Sequence, residues 1–239
     1  SEIMALMTTG MATVAGSVLA AYVTLGADAG HLMAASLMSA PAALVISKIM
    51  TPETETSPTL GIVTVDIPRQ DVNLLDAVCR GASDGLKLAL NIAAMLIVAI
   101  AFVGLLNWAL SFLPHISSTP LSLERLLGWL CAPLAWLMGV PWEEAQLVGM
   151  LLGKKTILNE FLAYQDLGAL KAQLSPRSFT IATYALCSFA NFGSIAVMIG
   201  GIGGLVPERR KDIARYGLRS LIGGTLAANM TATIAGMLI

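Results

Sequence analysis

The sequence predicts an all-α, polytopic membrane protein in which some of the helices are discontinuous. Three observations carry this. Of the 239 residues 56% are apolar and only 12% charged, against about 25% charged in soluble domains. Several segments supply the roughly 20 mostly apolar residues that a membrane helix needs. Some of these runs are broken by glycine, hydroxyl and amide residues, and in a membrane such breaks are tolerated only where protein or a watered cavity satisfies the backbone. A formal net charge of −1 lacks the basic face that a nucleic-acid partner requires.

Residues 1–50 hold a broken helix followed by a spanning helix. The first segment, Ile3 to Leu25, is interrupted by Gly10 and Gly16, with Thr8, Thr9, Thr13 and Ser17 on the turns between them. The second, Leu32 to Met50, is expected to kink at Pro41. The loop Gly26-Ala27-Asp28-Ala29-Gly30 joins the two. The opening Ser1-Glu2-Ile3-Met4 has no basic region or cleavage site and is no signal peptide. Because it starts inside a helical pattern, the chain reads as a fragment whose N-terminal part is missing.

Residues 51–85 read as a cytoplasmic connection, rich in Thr, Pro and acidic residues, with a short strand at Gly61 to Val65 and an amphipathic stretch from Leu74 to Leu86. Residues 86–140 hold the longest apolar run, Leu86 to Leu113, then a polar turn with His115 between Pro114 and Pro120. An interfacial piece follows, Leu123 to Met138, with Trp129 and Trp136 and an expected break at Pro133. Gly139-Val140-Pro141 ends it.

Residues 141–175 read as a re-entrant hairpin: a helix from Trp142 to Leu152, a polar tip at Gly153-Lys154-Lys155, and a second short helix from near Asn159. Residues 176–239 begin at Ser175-Pro176-Arg177, a plausible helix start. They then hold a segment, Phe179 to Leu205, interrupted at Asn191, Gly193 and Ser194, and a last span from Leu221 to Ile239. The basic loop Arg209-Arg210-Lys211, with Arg215 and Arg219, falls on the cytoplasmic side by the positive-inside rule. Counting spans from it puts the C-terminus, His31 and His115 outside. Ala15-Gly16-Ser17-Val18 is echoed by Phe192-Gly193-Ser194-Ile195, and repeated broken helices at corresponding positions point to a transporter's central site.

The residue that most asks for a function is Glu160, since a carboxylate at bilayer depth is costly and normally faces a cavity, partner or substrate. With Asn159 it reads as a hydroxyl-binding pair, the carboxylate accepting from two adjacent alcohols and the amide donating and accepting. The competing reading is a loop end at the headgroups, paired with Lys154 or Lys155. Phe189, Asn191 and Ser194 read either as the lining of a pocket at an unwound helix or as interhelical glue. Thr13 and the carbonyl of Val14 offer oxygen ligands to a small hard cation, or the Thr13 hydroxyl bonds back to its own helix.

Glu143 and Glu144 complement a helix N-terminus. Cys79, Cys131 and Cys187 lack ligand-spaced partners and read as packing residues. Enzyme motifs such as G-x-S-x-G, H-E-x-x-H or a P-loop are absent, and so are the repeated filters or charged rings of a channel. A membrane-embedded enzyme using Glu160 stays as the competing class, without a nucleophile to serve it.

From end to end the chain resembles the C-terminal part of the concentrative nucleoside transporter family. The resemblance is carried by Gly153-Lys154-Lys155-Thr156-Ile157-Leu158-Asn159-Glu160-Phe161, by Leu174-Ser175-Pro176-Arg177, by Ser188-Phe189-Ala190-Asn191-Phe192-Gly193-Ser194-Ile195, and by the run Gly10 to Val18. It implies two inverted repeats, each a re-entrant hairpin plus a broken helix, in a homotrimer of the bacterial inner membrane. It further implies that Glu160, Asn191 and Ser194 hold the ribose of a nucleoside such as uridine, with Phe189 and Asn159 beside it. Val18 would then touch the base, and Thr13 and Val14 would supply part of a sodium site, with the proton as the alternative coupling ion. The family's first hairpin, with its Gly-Gln-(Ser/Thr)-Glu motif, is not in this sequence.

Overall fold

The computed structural model describes residues 1–54, 56, 71–112 and 121–239. The expected strand at Gly61 to Val65 and the His115 turn lie outside the described residues. Every described element is helical: α1 (Glu2–Ala12), α2 (Gly16–Thr24), α3 (Ala29–Met50), α4 (Leu74–Leu110), α5 (Leu123–Leu137), α6 (Trp142–Ile157), α7 (Glu160–Ala169), α8 (Pro176–Leu186), α9 (Phe192–Leu205) and α10 (Arg210–Leu238), with a 3₁₀ turn at Pro207–Arg209.

Both broken helices are present, but displaced from some of the residues expected to interrupt them: Gly10 lies inside α1, Gly16 opens α2, and Gly193 and Ser194 lie inside α9. Between α1 and α2 the ladder stops where the Thr13 N–H donates to Thr9 O and restarts where Val18 and Leu19 donate to Ala15 O. Thr13 is extended there, at φ −103° and ψ 166°, a conformation that suits the β-branched pair Thr13-Val14. Between α8 and α9 the chain unwinds over residues 187–191, and Asn191 restarts it as the N-cap of α9.

Among the described residues three segments are long and apolar enough to cross a membrane: Glu2–Thr24, which joins α1 and α2, then Ala29–Met50 and Pro207–Leu238. The Lys48 ammonium pairs with Glu53 at 2.7 Å, and the Ser1 hydroxyl reaches the same carboxylate, so the start of α1 and the end of α3 share one side. Arg177, opening α8, donates to the carbonyls of Gly139, Gly236 and Ile239, which gathers the start of α8, the end of α5 and the end of α10. Asp28 caps α3, and the N–H of His31 at 2.9 Å holds its carboxyl below the usual range.

α10 is the hub, with α1, α3, α8 and α9 packed against it. α5 and α6 turn back on each other at 118° about Gly139, whose φ is +99°, a left-handed value that glycine adopts without cost. They approach closely because Gly149 has no side chain. A Cβ there would stand 2.5 Å from Gly128 O, the small-residue contact typical of membrane helix pairs.

Three expectations about helix extent change. Pro133 does not end α5, which runs through it to Leu137; Pro41, expected as a kink, lies inside α3. The stretch Gly153-Lys154-Lys155 is not a hairpin tip, because α6 continues through Ile157 and the turn falls at Leu158-Asn159. The two lysines suit a helix because each finds a partner there, Lys154 with Asp166 on α7 at 2.6 Å and Lys155 with Ala185 O at 2.8 Å. Finally, α4 runs unbroken for 37 residues across the boundary placed at residues 85 and 86. Its glycines cost only about 1 kcal/mol each against alanine. Asn107 docks α4 to α5, accepting from the Leu123 N–H at 2.7 Å. Outside that contact α4 leaves Leu75, Val78, Leu86, Ile97 and Phe102 exposed, an apolar surface suited to lipid or further protein. Cys79 on α4 is exposed and only Cys187 is buried, so the packing reading fits Cys187 and not Cys79.

Candidate functional site

Two half-helices begin at one place in the interior, each capped by an asparagine. Asn159 Oδ1 accepts from the Leu162 N–H at 2.9 Å and starts α7, and Asn191 Oδ1 accepts from the Ser194 N–H at 2.8 Å and starts α9. Asparagine suits this position because its amide oxygen satisfies one of the four free N–H groups at a helix start. The first residue of α7 is Glu160, which is 5% exposed. A carboxylate there is favoured by the positive end of its own helix.

Each oxygen of that carboxylate has a donor. Tyr22 Oη, on α2, donates to Glu160 Oε1 at 3.0 Å, and Asn191 Nδ2 donates to Glu160 Oε2 at 3.1 Å. The Asn191 amide can face only one way, since its oxygen caps α9 and a carboxylate cannot donate. The Glu160 backbone N–H also acts on this carboxylate, and a group that can accept about four hydrogen bonds keeps capacity for a ligand.

The surroundings hold this arrangement in place. The Tyr22 ring stacks on Tyr164 with centroids 4.2 Å apart and planes at 21°. Tyr164 Oη in turn donates to Thr183 O at 2.7 Å, fastening α7 to α8. Lys155 is 1% exposed, and its Nζ donates to Ala185 O in the last turn of α8, where carbonyls have lost their helical partners. The Lys155 ammonium and the Glu160 carboxylate also act on each other electrostatically. At the base of the hairpin Glu144 accepts from the Ser175 N–H at 3.1 Å and from its Oγ at 2.9 Å. Glu143 and Glu144 both lie in the first turn of α6 as expected.

The structure brings Glu160 and Asn191 into direct contact and sets Ser194 against Asn191, its Oγ donating to Oδ1 at 3.1 Å. Asn159 stands beside Glu160 but commits its amide oxygen to the cap, so its NH₂ is the group left for a ligand. Val18 and Phe189 pack half-buried against the same apolar core. Thr13 and Val14 sit apart, in the break between α1 and α2, where their carbonyls fall between two helical ladders. The Thr13 hydroxyl donates to Thr9 O at 2.9 Å, back onto its own helix, and its oxygen keeps lone pairs for a cation. Lys154 pairs with Asp166 and not with Glu160, which removes one form of the headgroup reading.

Tyr22 and Tyr164 are not among the residues the sequence places at the site, and Lys155 enters there only as a headgroup partner of Glu160. A signal existed for Tyr22: it stands one helical turn after Val18, and a tyrosine buried in an apolar helix needs a partner for its hydroxyl. A cavity of about 490 Å³ opens elsewhere, between the α2–α3 loop and the α7–α8 connection, lined by Asp28, His31, Lys171, Phe179 and Thr180 among others; Glu160, Asn191 and Ser194 do not line it.

Residues 31–236 match the sequence model described as Na+ dependent nucleoside transporter C-terminus. Over its whole length the chain is 44% identical to the uncharacterized transporter YutK of Bacillus subtilis and covers 60% of it. It is 42% identical to the nucleoside permease NupC of Helicobacter pylori, covering 58%. It is likewise 42% identical to the rat sodium/nucleoside cotransporter 1, covering 39%. The chain thus spans about three fifths of the bacterial relatives and two fifths of the mammalian one. Among solved structures, 99% of it superposes on CNTnw in an inward-facing substrate-bound state at a TM-score of 0.83 and 39% identity, covering 57% of that chain. Against a doubly substituted CNTnw in an outward-facing state the TM-score is 0.84 at 39% identity, covering 58%.

Proposed function

Because the chain belongs to the Na+ dependent nucleoside transporter family, we propose that it forms the C-terminal portion of a sodium-coupled nucleoside symporter that imports nucleosides across a bacterial inner membrane. The observation that carries this reading is the Glu160 carboxylate, buried where two asparagine-capped half-helices begin and held by donors from α2 and from the start of α9. Two adjacent ribose hydroxyls fit that pair of acceptors, since a vicinal diol presents two O–H groups side by side. In the same reading Asn191 and Ser194 complete the ribose contacts, Asn159 lends its NH₂, and Phe189 and Val18 give apolar surface to the base.

Thr13 and Val14 are the share of the sodium site carried by this chain, through the hydroxyl oxygen and the backbone carbonyls at the helix break. Oxygen ligands of this kind suit a small hard cation. The name sodium/nucleoside cotransporter, borne by the rat relative, supports sodium over protons. The relatives and structural neighbours are transporters and not enzymes, so the membrane-enzyme class falls. The chain superposes about equally well on an inward- and an outward-facing relative; the reading adds transport by movement of a transport domain against a fixed scaffold, in a homotrimer.

The test is saturable uridine uptake into cells expressing a full-length transporter that carries this sequence. Glu160→Gln is expected to abolish uptake with expression at the membrane unchanged, because an amide replaces one accepting oxygen with a donor. Replacing external sodium by choline at fixed pH is expected to collapse wild-type uptake. Retained uptake in the variant removes the ribose role of Glu160, and uptake that survives choline but follows pH assigns the coupling to protons.

A further inference from the structure

Glu160 receives one of its side-chain hydrogen bonds from α2, far from it in the chain. Tyr22 stands on α2, the half-helix that starts at the break containing Thr13 and Val14, 138 residues before the carboxylate that it touches. We propose that Tyr22 is a positioning residue: it orients the Glu160 carboxylate for the ribose and, through α2, transmits cation occupancy at the Thr13–Val14 break to the ribose site. The proposal rests on the reading of Glu160 as the ribose-binding group.

Four features make α2 and the start of α7 move as one body. The Tyr22 side chain is fully buried, and its hydroxyl meets Glu160 Oε1 at 3.0 Å. Its ring lies flat on Tyr164, one turn beyond Glu160 on α7, so a single side chain of α2 grips α7 at both its charged and its aromatic position. Tyr164 is itself fixed by its hydrogen bond to Thr183 O on α8, which limits any swing of the stacked pair. One turn further along α7, Gly168 lets the backbones close up: a Cβ there would stand 2.5 Å from Leu25 O at the end of α2.

α2 itself is short, Gly16–Thr24, or about 13 Å at 1.5 Å per residue. A helix of that length turns as a unit. When a cation draws in the carbonyls at its N-terminal break, the displacement arrives at Tyr22 and therefore at the carboxylate. The hydrogen bond favours one orientation of Glu160 before substrate arrives, which is preorganisation of the kind that raises affinity without new ligand contacts. By linkage, the same bond makes bound substrate tighten the cation.

Tyr22→Phe deletes the hydroxyl and keeps the ring on Tyr164. The measurement is equilibrium binding to the purified full-length transporter, at low and high concentrations of whichever cation wild-type protein requires, for uridine and for a 2′,3′-dideoxy analogue that lacks the ribose hydroxyls. Losing a hydrogen bond to a charged group predicts about a tenfold weaker uridine affinity at high cation, a cation-induced gain in affinity that falls toward one, and little further loss for the analogue. A loss of equal size for both ligands overturns the proposal, because it marks a packing defect. An undiminished cation-induced gain, or unchanged uridine affinity, also overturns it. A wild-type protein that binds no nucleoside overturns the ribose reading and the Tyr22 proposal together, and is told apart from the other outcomes before any variant is made.

Discussion

Asn191 joins two helix starts with one side chain: its oxygen caps α9 through the Ser194 N–H at 2.8 Å, while its NH₂ donates to Glu160 at the start of α7 at 3.1 Å. Amide chemistry is required for both tasks at once, since a hydroxyl is too short to span them and a carboxylate has no donor. The relationship ties the start of α7 to the start of α9 in the buried interior, where an unpaired polar group is costly.

Asn191→Asp and Asn191→Ser separate the two tasks. Aspartate keeps the cap, as good a cap as asparagine, but sets a second negative charge against Glu160. Serine keeps a cap and removes the donor without adding charge. Uridine uptake is expected to vanish in Asn191→Asp and to fall about tenfold or more in Asn191→Ser, the size of a lost hydrogen bond to a charged group. Equal, near-wild-type uptake in both would show that the contact to Glu160 has no part in binding.

What was legible in the sequence follows the range of the interaction concerned. The two broken helices can be read because Gly16, and Asn191 with a following Gly and Ser, mark where a helix restarts, whereas Gly10 is absorbed inside α1. Glu160 stood out because one charge inside an apolar run is unusual at any fold. The contacts of Glu160 did not stand out, since Tyr22 is 138 residues distant and nothing in the local pattern of α2 names its partner. The length of α6 is hidden in the sequence for the same reason. Gly153-Lys154-Lys155 looks like a polar tip until Asp166 and Ala185 supply the partners that let both lysines lie within a helix. Pro133 reads locally as a helix breaker, whereas α5 runs through it against the closely packed α6.

Lys155 is buried with its ammonium on Ala185 O and in electrostatic contact with Glu160. Lys155→Met keeps most of the buried stem and removes the ammonium, leaving Ala185 O without that donor and Glu160 without a nearby positive charge. The purified protein is expected to lose about 1.5–3 kcal/mol, as for a hydrogen bond made by a charged group, seen as a lower unfolding temperature in detergent. Lys155→Arg is expected to be no milder, because a planar guanidinium in a fully buried slot displaces its neighbours. Unfolding temperatures within a degree of wild type for both variants would sink this role.

Thr13 is the position at which the structure allows two opposed results. Its hydroxyl donates to Thr9 O at 2.9 Å, which is a complete account of that proton, yet the oxygen retains two lone pairs at the break, beside the carbonyls outside the ladder. Thr13→Val replaces the hydroxyl by a methyl of nearly equal volume and leaves the extended backbone of a β-branched residue undisturbed. If the oxygen is a cation ligand, the sodium concentration for half-maximal uridine uptake rises several-fold in Thr13→Val while the maximal rate at saturating sodium changes little, and Thr13→Ser stays close to wild type. If the hydroxyl serves only its own helix, both variants keep the wild-type sodium dependence. A sodium titration of uptake at fixed uridine, run on the three proteins side by side, decides between them. The serine variant separates loss of the oxygen from loss of the methyl group that packs at the break.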